Sequence, residues 1–130
     1  MTNFLSYRSG VLDFGGFTAL VGPNGSGKSN AVAAIKLLRD IPIHGLPAAI
    51  AKRGRFDQLR HRGTGRPYDP TVRVEFSVDG RQRSFYELRL GSIAGKRYEV
   101  KEESGRVLDG DNEYRFRQFG GTLHISDRTN

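Results

Sequence analysis

One octet constrains the fold of this 130-residue chain more than any other segment. It runs Gly22-Pro23-Asn24-Gly25-Ser26-Gly27-Lys28-Ser29 and fits the pattern G-x-x-x-x-G-K-[ST] of a phosphate-binding loop. Its glycines let the backbone turn tightly and aim N–H groups inward, where larger side chains would block a polyphosphate. The octet therefore predicts a loop that wraps the phosphates of a nucleotide between a strand and a helix.

The residues on both sides of the octet have the periodicity that this motif needs. Phe17–Val21 is a nearly continuous apolar run, typical of a strand buried on both faces, and Gly10–Phe14 is a further strand candidate. After the octet, apolar residues recur at the spacing of one helix face: Ala31, Ala34, Ile35 and Leu38. Pro42 is expected to end that helix. The alternative, a glycine-rich turn that fits the pattern by chance, is disfavoured by this flanking strand and helix.

The chemistry of the loop assigns roles to its polar side chains. The ammonium of Lys28 is expected to contact the β- and γ-phosphates, and the hydroxyl of Ser29 to coordinate Mg²⁺. A helix that begins near Lys28 adds the positive end of its dipole. The residues predicted to bind the nucleotide are Gly22, Pro23, Asn24, Gly25, Ser26, Gly27, Lys28, Ser29 and Asn30.

The second half of the chain has a different period. From Thr71 apolar and polar residues alternate, which predicts an antiparallel meander. The expected strands are Val72–Val78, Tyr86–Leu90, Tyr98–Val100, Tyr114–Phe119 and Thr122–Ser126. The expected turns are Asp79-Gly80, Ala94-Gly95 and Ser104-Gly105. Residues 40–70 are expected to be irregular, with helical turns across Leu46–Ala51 and Phe56–Leu59. The predicted fold class is α/β: a P-loop NTPase-type strand–loop–helix (1–39) beside an antiparallel β-meander (71–126), in a single lobe.

A family resemblance rests on the octet and its surroundings. Phe17 to Asn30, followed by Ala34-Ile35, resembles the opening of the SMC/RecF class of ABC-type, AAA-family ATPase heads. Asn3-Phe4-Leu5-Ser6-Tyr7 is similar to the Asn-Phe-basic-Ser-Tyr/Phe start of these proteins, although Leu5 stands where the family often has Lys or Arg. The meander is similar to the first lobe of such heads. The resemblance implies ATP and Mg²⁺ as cofactors.

Several parts that ATP hydrolysis needs are missing from the sequence. P-loop ATPases use an acidic residue after an apolar strand to hold Mg²⁺ and orient water, and Leu123–Asp127 is a poor match. The family's Leu-Ser-Gly-Gly-like signature and switch histidine are absent. Gln118 is either the family's glutamine-loop residue or an ordinary polar residue of a strand. We therefore expect the N-terminal lobe of an incomplete head, with no catalytic residue assigned and negligible hydrolysis alone. A second copy or a second polypeptide would complete it.

The charge of the chain supports a second hypothesis. Lys and Arg number 21 against 14 Asp and Glu, and the net charge of +7 favours polyanionic partners. The basic excess is concentrated in the basic segment, residues 52–66, whose cations are Lys52, Arg53, Arg55, Arg60, Arg62 and Arg66. The alternative function is a nucleic-acid-binding module that contacts DNA through these residues and keeps a relic of the loop. A solvated surface loop explains the segment equally, because Phe56 is its single aromatic residue for base stacking.

The remaining features exclude or disfavour other classes of protein. The chain has no cysteine, which excludes disulfides, thiol catalysis and cysteine-ligated metals. The histidines are far apart in the sequence, and their spacing suggests no metal site: His44, His61 and His124. Asp109, Asp111 and Glu113 could bind a cation, but their position around Gly110 favours a turn. Without a long apolar run or a signal peptide, we expect a cytoplasmic protein with no membrane partner.

Overall fold

The chain divides into two compact units, Met1–Pro70 and Thr71–Asn130. The computed structural model describes residues 1–65, 68–78, 80, 82–94 and 97–128. The boundary between the units coincides with the change of hydrophobic period at Thr71. A single lobe spanning both units stays a prediction. Arg66, Asp79 and Gly95 lie outside the described residues, so the expected Asp79-Gly80 and Ala94-Gly95 turns are described only in part.

The first unit consists of a short hairpin and three helices. Its elements are β1 (Thr2–Phe4), β2 (Tyr7–Ser9), α1 (Lys28–His44), α2 (Leu46–Ala51) and α3 (Phe56–Leu59). Strands β1 and β2 pair antiparallel, with Thr2 opposite Ser9 and Phe4 opposite Tyr7. The helical turns predicted inside the irregular stretch are confirmed as α2 and α3. None of the helices in the described ranges has both the length and the apolar character that crossing a membrane requires.

Helix α1 confirms the predicted helix but buries a somewhat different face. Its buried residues recur at every third position: Ala31, Ala34, Leu37 and Asp40. Ile35, expected on the buried face, is 42% exposed, because the packed stripe follows Leu37 instead. The core of the unit is completed by Phe4, Ala49, Ile50, Phe56 and Leu59. Burial of this apolar surface stabilises the small helices, which are too short to be stable alone.

Pro42 does not end α1, and the predicted helical segment, which stops at residue 39, is five residues too short. The helix continues to His44 with Pro42 inside its last turn. Proline lacks the N–H that would bond to the carbonyl four residues earlier, so this turn loses one hydrogen bond. The N–H of Gly45 bonds to the carbonyl of Ile41 at 2.9 Å and closes the helix instead. Proline is therefore tolerated because only the final turn follows it.

The two strands expected before the octet are absent. Gly10–Phe14 and Phe17–Val21 form neither strand nor helix, and Phe17 and Val21 are 91% and 90% exposed. A buried parallel strand needs hydrogen-bonded neighbours on both sides. In the described part of the first unit, the strands are the three-residue β1 and β2, which pair with each other. Neither of these short strands pairs with the apolar run, so the run lacks the neighbours that would bury it.

The second unit is the antiparallel meander that the alternation predicts. Its strands are β3 (Thr71–Phe76), β4 (Ser84–Ile93), β5 (Arg97–Asp109), β6 (Asn112–Phe119) and β7 (Thr122–Arg128). They pair in chain order, each antiparallel to the next. The apolar stripe is confirmed at Val72, Leu88 and Leu90, which are buried. It is wrong at the end of the first predicted strand, where Phe76 and Val78 are 39% and 52% exposed. The mixed α/β class of the chain follows from these strands and the helices of the first unit.

The turn expected at Ser104-Gly105 is wrong. Both residues lie inside β5, where Gly105 pairs with Tyr86 on one side and Phe116 on the other. The ring of Phe116 occupies the space that a side chain at position 105 would need, so glycine serves close packing here. The chain reverses instead between Asp109 and Asn112. This position confirms the turn interpretation of the nearby acidic residues.

Candidate nucleotide-binding site

The octet, called the octet loop below (Gly22–Ser29), forms an exposed bend that leads into α1. Gly25 has φ +84° and Gly27 has φ +92°, a left-handed backbone that glycine adopts without strain. The N–H of Ser26 donates to the carbonyl of Pro23 at 3.3 Å and closes a turn within the bend. The glycines at positions 25 and 27 thus meet a requirement of the backbone.

The loop ends at an uncapped helix terminus. Helix α1 begins at Lys28, and the N–H of Ala31 donates to the carbonyl of Gly27 at 3.0 Å. Among the described residues, no side chain caps the N-terminus of this helix. The first N–H groups of a helix have no partner within it and carry the positive end of its dipole. This terminus therefore has the chemistry that attracts an anion.

The ammonium of Lys28 lies against the octet loop. Its Nζ donates to the carbonyls of Gly22 and Pro23 at 2.6 and 2.7 Å. It also donates to Oγ of Ser26 at 3.2 Å. These bonds tie the two ends of the loop together and keep the positive charge beside the helix terminus. The loop, the helix terminus and the cation are thus combined in one exposed site.

The β1–β2 hairpin contacts the same site. The hydroxyl of Tyr7 donates to the carbonyl of Gly27 at 3.1 Å, and Nδ2 of Asn30 donates to Oγ of Ser6 at 2.8 Å. Sequence reasoning selected residues 3–7 through a family resemblance and did not foresee these contacts. The spacing of 20 or more residues gives no local signal for them.

The residues around Ser29 fit a magnesium ion bound through phosphate. Ser29 follows Lys28 in the first turn of α1 and is exposed. Mg²⁺ prefers oxygen ligands and usually keeps several waters and substrate phosphates. The described residues hold no group of three acidic or histidine side chains that would bind a metal alone. A hydroxyl that adds one oxygen to a phosphate-bound ion is the donor that the site offers.

Two cations of the basic segment serve the fold. Arg53 donates to the carboxylate of Asp40 at 2.9 Å and to the carbonyls of Ala49 and Ala33 at 2.6 and 3.3 Å. Arg60 lies 5.7 Å from the centroid of the Phe56 ring. Its side chain also lies near Tyr68 and Asp69, at 3.3 Å from the carbonyl of the first and 3.8 Å from the carboxylate of the second.

The other cations of this segment differ in exposure. Lys52, Arg55 and Arg62 are exposed, whereas Arg53 and Arg60 are partly buried. Arg66 lies outside the described residues. The described part of the segment thus presents three exposed cations rather than a continuous row. Charge counting in the sequence could not separate these two groups, because partners such as Asp40 are distant along the chain.

The buried carboxylate of Asp40 joins α1 to the basic segment through ion pairs. Its carboxylate accepts from Arg39 at 2.7 Å and from Arg53 at 2.9 Å. Hydrogen bonds from Arg39 and then Arg53 lower the pKa of Asp40 from 3.8 to about 2. The folded state therefore holds the charged carboxylate more firmly than the unfolded chain does.

This lowered pKa predicts a specific acid sensitivity. Asp40 stabilises the fold fully above its unfolded pKa of 3.8, and this contribution disappears as the pH falls through about 2. In Asp40→Asn we expect a lower melting temperature at pH 6 and a smaller further decrease between pH 4 and 2. Thermal melts followed by circular dichroism measure both. Asp13→Asn removes an exposed carboxylate and is the control. Identical pH profiles for wild type and Asp40→Asn would contradict the prediction.

The remaining candidates are ordinary parts of the meander. Gln118 lies in β6 opposite Glu103 and Leu123, which supports the interpretation as a polar strand residue. Leu123–Asp127 lies in β7, whose residues are all exposed, unlike the buried strand that precedes a catalytic acid. His44 ends α1, His61 follows α3 and His124 lies in β7. Among the described residues, no catalytic acid is found by position.

Comparisons with known proteins show the family of the chain. The family model described as "AAA domain, putative AbiEii toxin, Type IV TA system" matches residues 17–130. Structural maintenance of chromosomes protein 1 of Schizosaccharomyces pombe is 27% identical over an alignment of 110 residues that covers 78% of this chain. The matched region is 9% of that relative, so the chain spans about a tenth of its length. No solved structure matches the chain.

Proposed function

We propose a function that starts from the family of this chain, which belongs to the AAA domain family as an SMC/RecF-like P-loop ATPase region. In this proposal the octet loop binds the triphosphate of ATP together with Mg²⁺. The observation that carries the proposal is the arrangement of three features at one place. The bend has left-handed glycines, α1 begins without a side-chain cap, and the ammonium of Lys28 lies between them. Each of these features favours a phosphate group.

The proposal assigns roles within the loop. Backbone N–H groups of the bend and of the first turn of α1 bind the phosphates, and the ammonium of Lys28 binds the β- and γ-phosphates. The hydroxyl of Ser29 supplies one oxygen to Mg²⁺. The full proposed set is Gly22, Pro23, Asn24, Gly25, Ser26, Gly27, Lys28, Ser29 and Asn30.

We further propose that this chain binds ATP without hydrolysing it alone. The reaction needs an acidic residue that orients water, and the nearest sequence match lies in the exposed strand β7. In this proposal a second polypeptide, or a second copy, supplies the missing acid.

Competition between nucleotides tests the proposal. A fluorescent ATP analogue with Mg²⁺ is titrated with the chain and displaced by ATP, ADP or AMP. We expect ATP and ADP to compete at least tenfold better than AMP, because each charge-assisted hydrogen bond to a phosphate contributes about 1.5–3 kcal/mol. Equal competition by AMP would show that the site does not bind the phosphate tail.

The alternative is a nucleic-acid-binding module with a relic loop. The exposure of Lys52, Arg55 and Arg62 favours it, because three cations face solvent in the described part of the basic segment. Labelled DNA added to the same titration separates the two functions. DNA binding that weakens steeply with salt and ignores ATP, together with no binding of the analogue, would favour the module.

A further inference from the structure

The β1–β2 hairpin has a backbone conformation that its residues rarely adopt. Asn3 has φ +51° and Leu5 has φ +50°, and both belong to the left-handed region that favours glycine. Such conformations persist only where surrounding contacts hold them, and they are concentrated at functional sites.

Contacts with the end of α3 hold this hairpin. The N–H of Leu5 donates to the carbonyl of Leu59 at 2.7 Å, and the N–H of His61 donates to the carbonyl of Asn3 at 2.8 Å. Between them, the side chain of Phe4 is 1% exposed. Two backbone bonds and a buried ring thus fix the unusual conformation of the hairpin.

The turn of the hairpin places two hydroxyl groups against the octet loop. Tyr7 donates to the carbonyl of Gly27 at 3.1 Å, and Ser6 accepts from Nδ2 of Asn30 at 2.8 Å. A Cβ at position 27 would lie 3.1 Å from each of the two hydroxyl oxygens. Glycine at this position thus permits the hairpin and the loop to approach each other closely.

The contact with Gly27 controls the direction of a neighbouring N–H group. The carbonyl of Gly27 accepts from Tyr7 and also from the N–H of Ala31 at 3.0 Å. Two donors on one carbonyl oxygen orient the peptide plane between Gly27 and Lys28. In a planar trans peptide, the N–H points opposite to the carbonyl. The N–H of Lys28 is consequently directed out of the helix terminus, where a phosphate would accept from it.

We propose that Tyr7 and Ser6 are positioning residues of the octet loop, which hold the Gly27–Lys28 peptide and Asn30 so that the helix N–H groups face the phosphates. This inference rests on the proposed binding of ATP. It makes nucleotide affinity depend on two hydroxyls that touch no phosphate themselves. The hairpin and the loop then act as one preorganised unit.

Conservative variants of the full chain test this inference. In Tyr7→Phe the ring stays and the hydroxyl is lost, and we expect the fluorescent ATP analogue to bind about fivefold more weakly. The melting temperature without nucleotide should stay within about 2 °C of wild type, since the lost bond is partly exposed. We expect Ser6→Ala to weaken binding similarly and Ser6→Thr, which keeps a hydroxyl, to restore it to within about twofold.

Two reference variants make the outcome unambiguous. Tyr68→Phe removes a hydroxyl from a residue that is 60% exposed, and it should bind the analogue as wild type does. If Lys28→Ala loses binding but Tyr7→Phe and Ser6→Ala both keep wild-type affinity, the positioning role is overturned. A weakened Ser6→Ala that Ser6→Thr does not restore would also overturn it. Wild-type affinity in Lys28→Ala would instead contradict the proposed function itself.

Discussion

Replacing Lys28 with alanine is expected to weaken binding of a fluorescent ATP analogue by about 50-fold or more. The ammonium of Lys28 already lies among oxygen acceptors of the octet loop, at 2.6 and 2.7 Å from the carbonyls of Gly22 and Pro23. A phosphate in the loop would offer it charged acceptors, and such hydrogen bonds contribute about 1.5–3 kcal/mol each. Loss of one or two of them corresponds to the expected decrease. Fluorescence titration at fixed Mg²⁺ and salt measures it.

Lys36→Ala is the matched control for this experiment. Lys36 lies on the same helix and is exposed, so its replacement removes the same charge without touching the loop. We expect its affinity for the analogue to stay within about twofold of wild type, because exposed charges at this distance are screened by salt. Equal weakening in both variants would mean that the overall positive charge, and not the loop, attracts the nucleotide.

Replacing Phe4 with alanine is expected to destabilise the first unit by about 3–5 kcal/mol, the usual cost of removing a buried aromatic ring. Phe4 is 1% exposed and lies in β1, whose hairpin contacts the octet loop. The cavity would therefore remove packing from the hairpin that contacts the octet loop. Urea denaturation followed by far-ultraviolet circular dichroism gives the change in the free energy of unfolding.

Phe17→Ala is the control for this measurement, because it removes an aromatic ring at an exposed position. Phe17 is 91% exposed, and the change should alter the free energy of unfolding by less than about 0.5 kcal/mol. The two variants also test the structure against the sequence prediction, since the apolar run at 17–21 predicts a strand in which Phe17 would be buried. A loss as large as that of Phe4→Ala would show that Phe17 is buried in solution.

The meander could be predicted from the sequence because its signal is local. Alternation places Val72, Leu88 and Leu90 on one face, and a sheet with one apolar face requires no further information. The position of one turn could not be predicted in the same way. Ser104-Gly105 suits either a chain reversal or a close approach, and only the cross-strand neighbour Phe116 decides between them.

The strand expected at Phe17–Val21 shows a different limit. Its apolar composition describes a strand with neighbours on both sides, and a chain can adopt that conformation only where those neighbours exist. The described part of the first unit offers short strands already paired with each other. Composition within five residues could not reveal this absence. Helix α1, by contrast, needs no partner strand for its hydrogen bonds, and its start at Lys28 was predicted.

The candidate site also has parts that the sequence predicts and parts that it does not. The octet loop follows from a short pattern, and its glycine conformations match the reason for that pattern. The contacts from Tyr7 and Ser6 join residues 20 and 24 positions apart, and sequence reasoning had no signal for them. The ion pair between Arg53 and Asp40 could not be predicted for the same reason. Pairings between distant residues are set by tertiary packing, which one sequence does not display.

Acceptors of the octet loop already bind the ammonium of Lys28, so the loop competes with an incoming anion for this cation. An incoming anion has to displace the carbonyls of Gly22 and Pro23 and the hydroxyl of Ser26 from the ammonium before it gains that contact. An anion with few oxygens replaces these intramolecular acceptors poorly, whereas a polyphosphate can replace all of them at once. If the octet loop binds phosphates as proposed, this competition should favour ligands with several linked phosphates over anions with few oxygens.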